Sequence, residues 1–274
     1  MTLATEMPPA RELLVVKLGG TTLAEQRSVL EEAAAVAATR DVVLVHGGGK
    51  RLSEWLERLG VESHFADGLR VTDDAALEVA LAVLRGVVNG ELVAALQGMG
   101  ADAVGISGID GGLLIADRVP DLGRVATVTG ARPGVLYALW AAGKVPVVAP
   151  LAMDQSGVIC NVNADDVAAG LAGGLHARLV LLTDTDGVRD AKGKRVPLLD
   201  AAAAENLIEK GVISGGMVPK VRSSLQALSW SGAEAVIVDG AAHAAISRAL
   251  DDPSFGTRLR GEAAPAPGSR GRDA

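Results

Sequence analysis

LLVVKLGG at residues 13–20 and VVLVHGGG at 42–49 set the tightest constraint on this 274-residue chain. Each is an unbroken aliphatic run that ends in glycines, with Lys17 or His46 at the end of the run. A run without polar alternation has no face left for water. It reads as a strand covered on both sides, as in a parallel sheet. VPVVAPLA (145–152), ARLVLLTD (177–184) and AEAVIVDG (233–240) also read as strands, and ADAVGISG (101–108) as a strand running into another glycine turn. Helical patterns fall between them at 28–39, 50–60, 72–100, 163–175 and 224–232. Strand and helix alternating in this way predict a three-layer α/β fold.

Composition narrows the function classes. Apolar residues make up 49% of the chain, enough for a substantial core. The net charge is −7, and Phe65, Phe255 and Tyr137 are the only Phe and Tyr, so neither a basic face nor a stacking platform points to nucleic acid. Cys160 is the single cysteine, which allows no intrachain disulfide and fits a reducing cytoplasm. The first residues lack the basic-then-apolar order of a secretion signal, and no uninterrupted apolar stretch reaches about 18 residues, so no membrane span is expected. The tail 262–274, rich in Pro, Gly, Ala and charge, is expected to be disordered.

Open parallel sheets bind ligands at the carboxyl ends of their strands, where Gly19, Gly20, Gly48 and Gly49 would lie. Glycines there let backbone N–H groups approach an anion, and Lys17 adds a full charge. Such glycines can equally do no more than make tight turns. GxxxxGK[ST] is absent, and no GxGxxG follows the first strand, so a nucleotide site would need another design. NVNADD (161–166) sets two amides and two acids at a helix entry; Asn163 as a cap explains part of it but not Asn161. Arg70 in FADGLRVTDD matches a carboxylate bidentately, although a lone loop arginine is usually a solvated charge. His46 reads as a buried, hydrogen-bonded histidine and Cys160 as a small core residue. No histidine pair has metal-ligand spacing.

VVKLGG, VLVHGGG, FADGLRVTD, VVNGEL, VGISGIDG, NVNADD, LLTDTDG, ISGGMVPKV, VDG and FGT follow one another in this order between about Leu13 and Gly261. Together they resemble the amino acid kinase family, and within it the branch acting on N-acetyl-L-glutamate. The resemblance implies an αβα sandwich with an open, mainly parallel central sheet. It implies residues 1–175 as a lobe for acetylglutamate binding and dimerisation, and 176–261 as an ATP lobe. The implied reaction moves the γ-phosphoryl group of ATP, with Mg²⁺ carried on the nucleotide and not by protein ligands, to the side-chain carboxylate of N-acetyl-L-glutamate, a step towards arginine. By the same resemblance Lys17, Lys220 and Asp165 are catalytic. Gly48, Gly49, Arg70 and Asn161 hold the amino-acid substrate. Gly19, Gly20, Asp184, Thr185, Asp186, Gly187, Val188, Arg189, Val212, Ile213 and Ser214 hold ATP.

Ile109 stands where many relatives have lysine, an apolar choice found in kinases for carrier-protein-linked aminoadipate or glutamate. That substrate remains the alternative, and a sensor of the same fold without turnover is another. Arginine-inhibited relatives carry an N-terminal helix that links dimers into hexamers; here only a dozen residues, broken by Pro8-Pro9, precede the first strand, so the resemblance implies a homodimer that arginine does not inhibit, in the cytoplasm that the single cysteine already suggests.

Overall fold

The computed structural model describes residues 11–19, 23–66, 68–231 and 234–260. Gly20 and the tail therefore lie outside the described residues. The first half of the chain forms β1 (Leu13–Leu18), α1 (Leu23–Ala37), β2 (Asp41–His46), α2 (Gly49–Arg58), β3 (Phe65–Ala66) and β4 (Leu69–Arg70). Then come α3 (Asp74–Ala80), a π-helical stretch Leu81–Val88 and α4 (Asn89–Gly98), which together make one continuous helix. Next are β5 (Ala103–Ser107), β6 (Leu114–Arg118), β7 (Val125–Ala131), α5 (Gly134–Ala141), β8 (Val145–Ala149), β9 (Leu151–Asp154) and β10 (Ile159–Val162). The remainder is α6 (Ala164–Leu175), β11 (Arg178–Thr183), β12 (Leu198–Asp200), α7 (Ala201–Glu209), α8 (Met217–Ser231), β13 (Ala235–Asp239), α9 (Ala245–Asp251) and β14 (Thr257–Arg260).

Eight strands form one sheet in the order β12-β14-β13-β11-β1-β2-β8-β5, in which only the β13–β14 pairing is antiparallel. Side chains alternate across it, and both faces are dry. Val15, Val43, Val45, Leu179 and Leu181 point into one core with α6 and α8. Leu14, Val16, Val42, Leu44 and Val180 point into another with α1, α4 and α9. That two-sided burial is why these strands carry unbroken apolar runs, and it makes the three layers.

VPVVAPLA is not one strand. It divides at Pro150 into β8, which belongs to the large sheet, and β9, which joins β10, β7 and β6 in a small closed barrel. Pro150 has no N–H to give a ladder, so the chain changes sheet there. The helix expected at 224–232 starts earlier, at Met217, because Pro219 falls in its first turn, where no N–H is missed. The helix 28–39 likewise starts at Leu23 and ends at Ala37.

β1 lies at the middle of the large sheet, between β2 and β11. The chain leaves β1 towards β2 on one side, while β11 returns on the other. The carboxyl ends of these three strands therefore lie side by side where the chain switches direction along the sheet, the place where α/β sheets bind ligands.

Candidate active site

Lys17 shares a face of β1 with Val15 and so points towards α6. Its Nζ lies 2.8 Å from Oδ1 of Asp165 in the first turn of α6. Lys220, in the first turn of α8, places Nζ 3.4 Å from Oδ2 of the same carboxylate and 3.2 Å from the Gly216 carbonyl. Asn163 caps α6 by accepting from the Asp165 N–H at 2.8 Å. Burial by itself would raise the Asp165 pKa, but the Lys17 and Lys220 ammonium groups outweigh it and hold the carboxyl below the ordinary aspartate value. Two ammonium groups share one buried carboxylate, so the cluster carries one net positive charge in a water-poor setting. Such a cluster favours an incoming anion.

A cleft of about 240 Å³ opens beside it. Lys17, Gly48, Gly49, Arg70 and Asn161 all line this one space, although they come from four different places in the chain. Arg70 is not a solvated charge: it is 8% exposed. It donates to Ser63 Oγ, to Ser53 Oγ at 2.6 Å and to the Gly49 carbonyl at 3.1 Å, and it lies over the Phe65 ring. Burial lowers its pKa from the usual arginine value. Among the described residues it has no carboxylate partner. A buried guanidinium held only by neutral groups is an unmet demand for an anion.

Asn161 is held through Nδ2, which donates to Thr72 Oγ1 at 3.2 Å, while the Thr72 hydroxyl donates to the Arg70 carbonyl at 2.8 Å. Thr72 is fully buried and ties the two cleft residues together. Sequence reading did not find it, because nothing in local spacing joins positions 72 and 161.

The glycines divide by cause. A methyl group on Gly19 would come within 2.1 Å of the Leu182 carbonyl, so close approach of β11 demands glycine there. Gly48 has φ +143°, and a methyl group would meet Leu84 at 2.7 Å. At Gly47 and Gly49 a methyl group would meet nothing within 4 Å. Packing does not ask for glycine at those two positions, and both line the cleft with open space beside their backbone. Gly49 also opens α2, whose first N–H groups have no partner within the helix.

Asp184–Arg189 leave the carboxyl end of β11, beside Lys17, which pairs with Leu181 in register. Asp184 accepts from Thr183 Oγ1 at 3.0 Å, Thr185 Oγ1 donates to the Gly187 carbonyl at 3.4 Å, and Asp186 pairs with Arg189 at 3.1 Å. Val212–Ser214 lead into α8, where Lys220 sits. Val188 and Ile213 are buried in the core; the Val188 N–H donates to Thr257 Oγ1 at 2.8 Å and the Ile213 N–H to the Leu207 carbonyl at 3.1 Å. None of these residues lines the cleft that holds Arg70.

His46 is fully enclosed, and burial pulls its pKa down to about 4. It touches Gly47 and Asn89. Cys160 is a buried free thiol in the core, as its neighbours suggest.

A model of the amino acid kinase family matches residues 12–239. An acetylglutamate kinase of Solibacter usitatus is 45% identical over 252 residues, covering 90% of this chain and 98% of its own length. One from Rubrobacter xylanophilus is 44% identical over 254 residues, covering 92% and 98%. Among solved structures, the N-acetylglutamate synthase of Neisseria gonorrhoeae complexed with coenzyme A and N-acetyl-glutamate superposes with a TM-score of 0.79 at 24% identity, over 92% of this chain and 60% of that one. Carbamate kinase from Giardia lamblia bound to AMP-PNP gives 0.67 at 18%, over 93% and 100%. These structural likenesses speak for the fold.

Proposed function

The chain belongs to the amino acid kinase family, and on that premise we propose that it transfers the γ-phosphoryl group of ATP to the side-chain carboxylate of N-acetyl-L-glutamate. The acceptor carboxylate, with a pKa of about 4.3, is ionised at neutral pH, so the reaction needs no general base. The obstacle is negative charge meeting negative charge. The site answers with cations and N–H donors held in place before substrate arrives.

Arg70 receives the α-carboxylate of the amino acid, and Asn161 offers its amide beside it. Lys17 and the N–H groups of Gly48 and Gly49 stabilise charge on the transferring group. Lys220 stabilises the leaving side of the nucleotide, and Asp165 keeps both lysines aimed. Asp184–Arg189 and Val212–Ser214, with Gly19 and Gly20, hold ATP. Mg²⁺ bound to the phosphates would offset part of their charge. Both Asp165 oxygens face lysines, which leaves the metal to ride on the nucleotide. Every cleft residue falls before position 176, which supports residues 1–175 as the amino-acid lobe and 176–261 as the ATP lobe. The same reading makes the protein a cytoplasmic homodimer; its solution mass with and without arginine tests that, and an arginine-responsive hexamer would contradict it.

The observation that carries the reading is the buried Arg70 guanidinium, without a carboxylate partner among the described residues, in the same cleft as Lys17 of the Lys17–Asp165–Lys220 cluster. Trapping acyl phosphate with hydroxylamine, with Mg·ATP and N-acetyl-L-glutamate, glutamate, aspartate or N-acetyl-aminoadipate, tests it. Signal with N-acetyl-L-glutamate alone is expected. Silence with every free amino acid, in a protein that still binds ATP, would reject it in favour of a carrier-linked substrate or a sensor.

A further inference from the structure

His46, which carries no role in the reaction above, stands at the end of a one-way chain of donors. Arg85 Nη1 donates to Asn89 Oδ1 at 3.4 Å. Asn89 Nδ2 donates to His46 Nε2 at 3.1 Å and to the Val147 carbonyl at 2.9 Å. His46 Nδ1 lies 2.6 Å from the Gly47 carbonyl. The geometry leaves one assignment. A carbonyl can only accept, so Nδ1 carries the proton and Nε2 is bare. The Asn89 amide cannot be flipped, because its nitrogen must serve the Val147 carbonyl and its oxygen must serve Arg85.

The fold makes room for this chain of bonds. A methyl group on Gly105 would strike Asn89 Oδ1 at 1.9 Å. Arg85 is anchored by the Gly105 carbonyl at 2.9 Å and by Asp110 at 3.6 Å. The π-helical stretch Leu81–Val88 carries Arg85 and ends just before Asn89. π-turns within helices are often found at functional sites.

The consequence is at the next peptide. No peptide bond in the described chain is cis. In a trans peptide the C=O of Gly47 and the N–H of Gly48 point in opposite directions. By holding the carbonyl on the buried side, His46 turns the Gly48 N–H the other way, and Gly48 lines the cleft. That N–H has no acceptor among the described residues. A carbonyl that accepts a bond strengthens its partner N–H as a donor, and a chain of donors headed by a cation adds to this.

We infer that His46, relayed through Asn89 from Arg85, is a positioning residue that aims and polarises the Gly48 N–H at the transferring phosphoryl group. This rests on the kinase reading of the cleft. The asparagine side chain places its donor where Nδ1 is, and glutamine places a polar group near Nε2. His46→Asn thus keeps the bond to Gly47, and His46→Gln keeps only the contact with Asn89.

Steady-state kinetics of the full chain should show kcat down about thirtyfold in H46Q, short of the roughly 10²–10³-fold cost of deleting such a donor, because the N–H is misaimed and not removed. In H46N the loss should stay within about fivefold, with both KM values near wild type in each variant. Equal losses in the two variants, or a loss confined to KM, would overturn the inference. Nitrogen-15 spectra of histidine-labelled protein provide a readout that needs no substrate, and a proton on Nε2 of His46 would also overturn it. If wild-type protein makes no acyl phosphate, the substrate reading falls alone. The relay is then decided by the Gly48 amide resonance, which must shift on Mg·ATP binding in wild type and not in H46Q.

Discussion

Oδ1 of Asp165 lies 2.8 Å from Nζ of Lys17, and both groups are nearly closed to water. Neutralising the acid leaves two ammonium groups facing one another without a counter-charge. Asp165→Asn should therefore cost about 3 kcal/mol or more, as for any broken buried pair. Phosphates can replace the missing anion, so Mg·ATP should raise the variant's melting temperature more than it raises that of wild type. Equal increments in a thermal shift assay would contradict this.

Removing Lys220 leaves Asp165 still paired with Lys17 at 2.8 Å, so no buried charge loses its last partner. Lys220→Ala should melt close to wild type yet turn over about 100-fold more slowly, as expected for a group that acts on transition-state charge. Near-normal turnover would remove Lys220 from the mechanism.

Arg70 presents a planar fork that lysine cannot copy. Arg70→Lys should raise the KM for N-acetyl-L-glutamate about tenfold or more, with kcat and the KM for ATP little changed. An ATP-specific defect in initial-rate measurements would place the guanidinium elsewhere in the cycle.

Thr72 gives one bond to the Arg70 carbonyl and takes one from Asn161. Thr72→Val keeps the shape and loses both. It should cost about 1–3 kcal/mol in denaturant unfolding, the cost of unpaired buried polar groups, and should raise the KM for the amino acid. Thr72→Ser should restore both quantities; failure of that rescue would assign the loss to packing.

Two buried groups oppose one another in acid. Burial lowers His46 from 6.5 to about 4, so the unfolded chain binds more protons there, and stability is lost as pH falls through that range. Burial, and after it the nearby Asp165 charge, raises Asp166 from 3.8 to about 6 although the Val128 N–H bond resists; its contribution is full below the lower value and lost as pH rises. Each amounts to about 3 kcal/mol across its range, with opposite sign. Wild-type stability should thus vary little with these groups between those pH values. Asp166→Asn should expose the His46 slope and lose stability as pH falls from about 6.5 to about 4. Chemical denaturation across that range decides it, and a flat D166N profile would refute the assignment.

What sequence made legible follows from burial. β1, β2, β11 and β13 have both faces covered and so carry runs that cannot be misread. β6 (LIADR) and β7 (VATVTGA) were not visible, because a barrel strand buried on one side mixes polar and apolar residues over a few positions. Lys17, Arg70, Asn161 and Asp165 were found through the segments that hold them, and they do meet. Thr72 and the His46–Asn89 pair were not, because their bonds span 89 and 43 positions and leave no local period.

The long helix Asp74–Gly98 serves two masters. Its early residues Ala76, Val79 and Ala80 pack with Leu52 and Leu56 of α2. Its late residues Leu92 and Leu96 pack with Leu14 and Val16 of the large sheet. A straight α-helix keeps one apolar stripe, and one surplus residue rotates everything downstream by roughly 100°. The π-helical stretch between the two halves acts as a phase shifter, a surplus residue kept because it lets a single rod mesh with partners lying in different directions. Excising one residue there would restore a regular helix and swing Asn89 away from the ring it steadies.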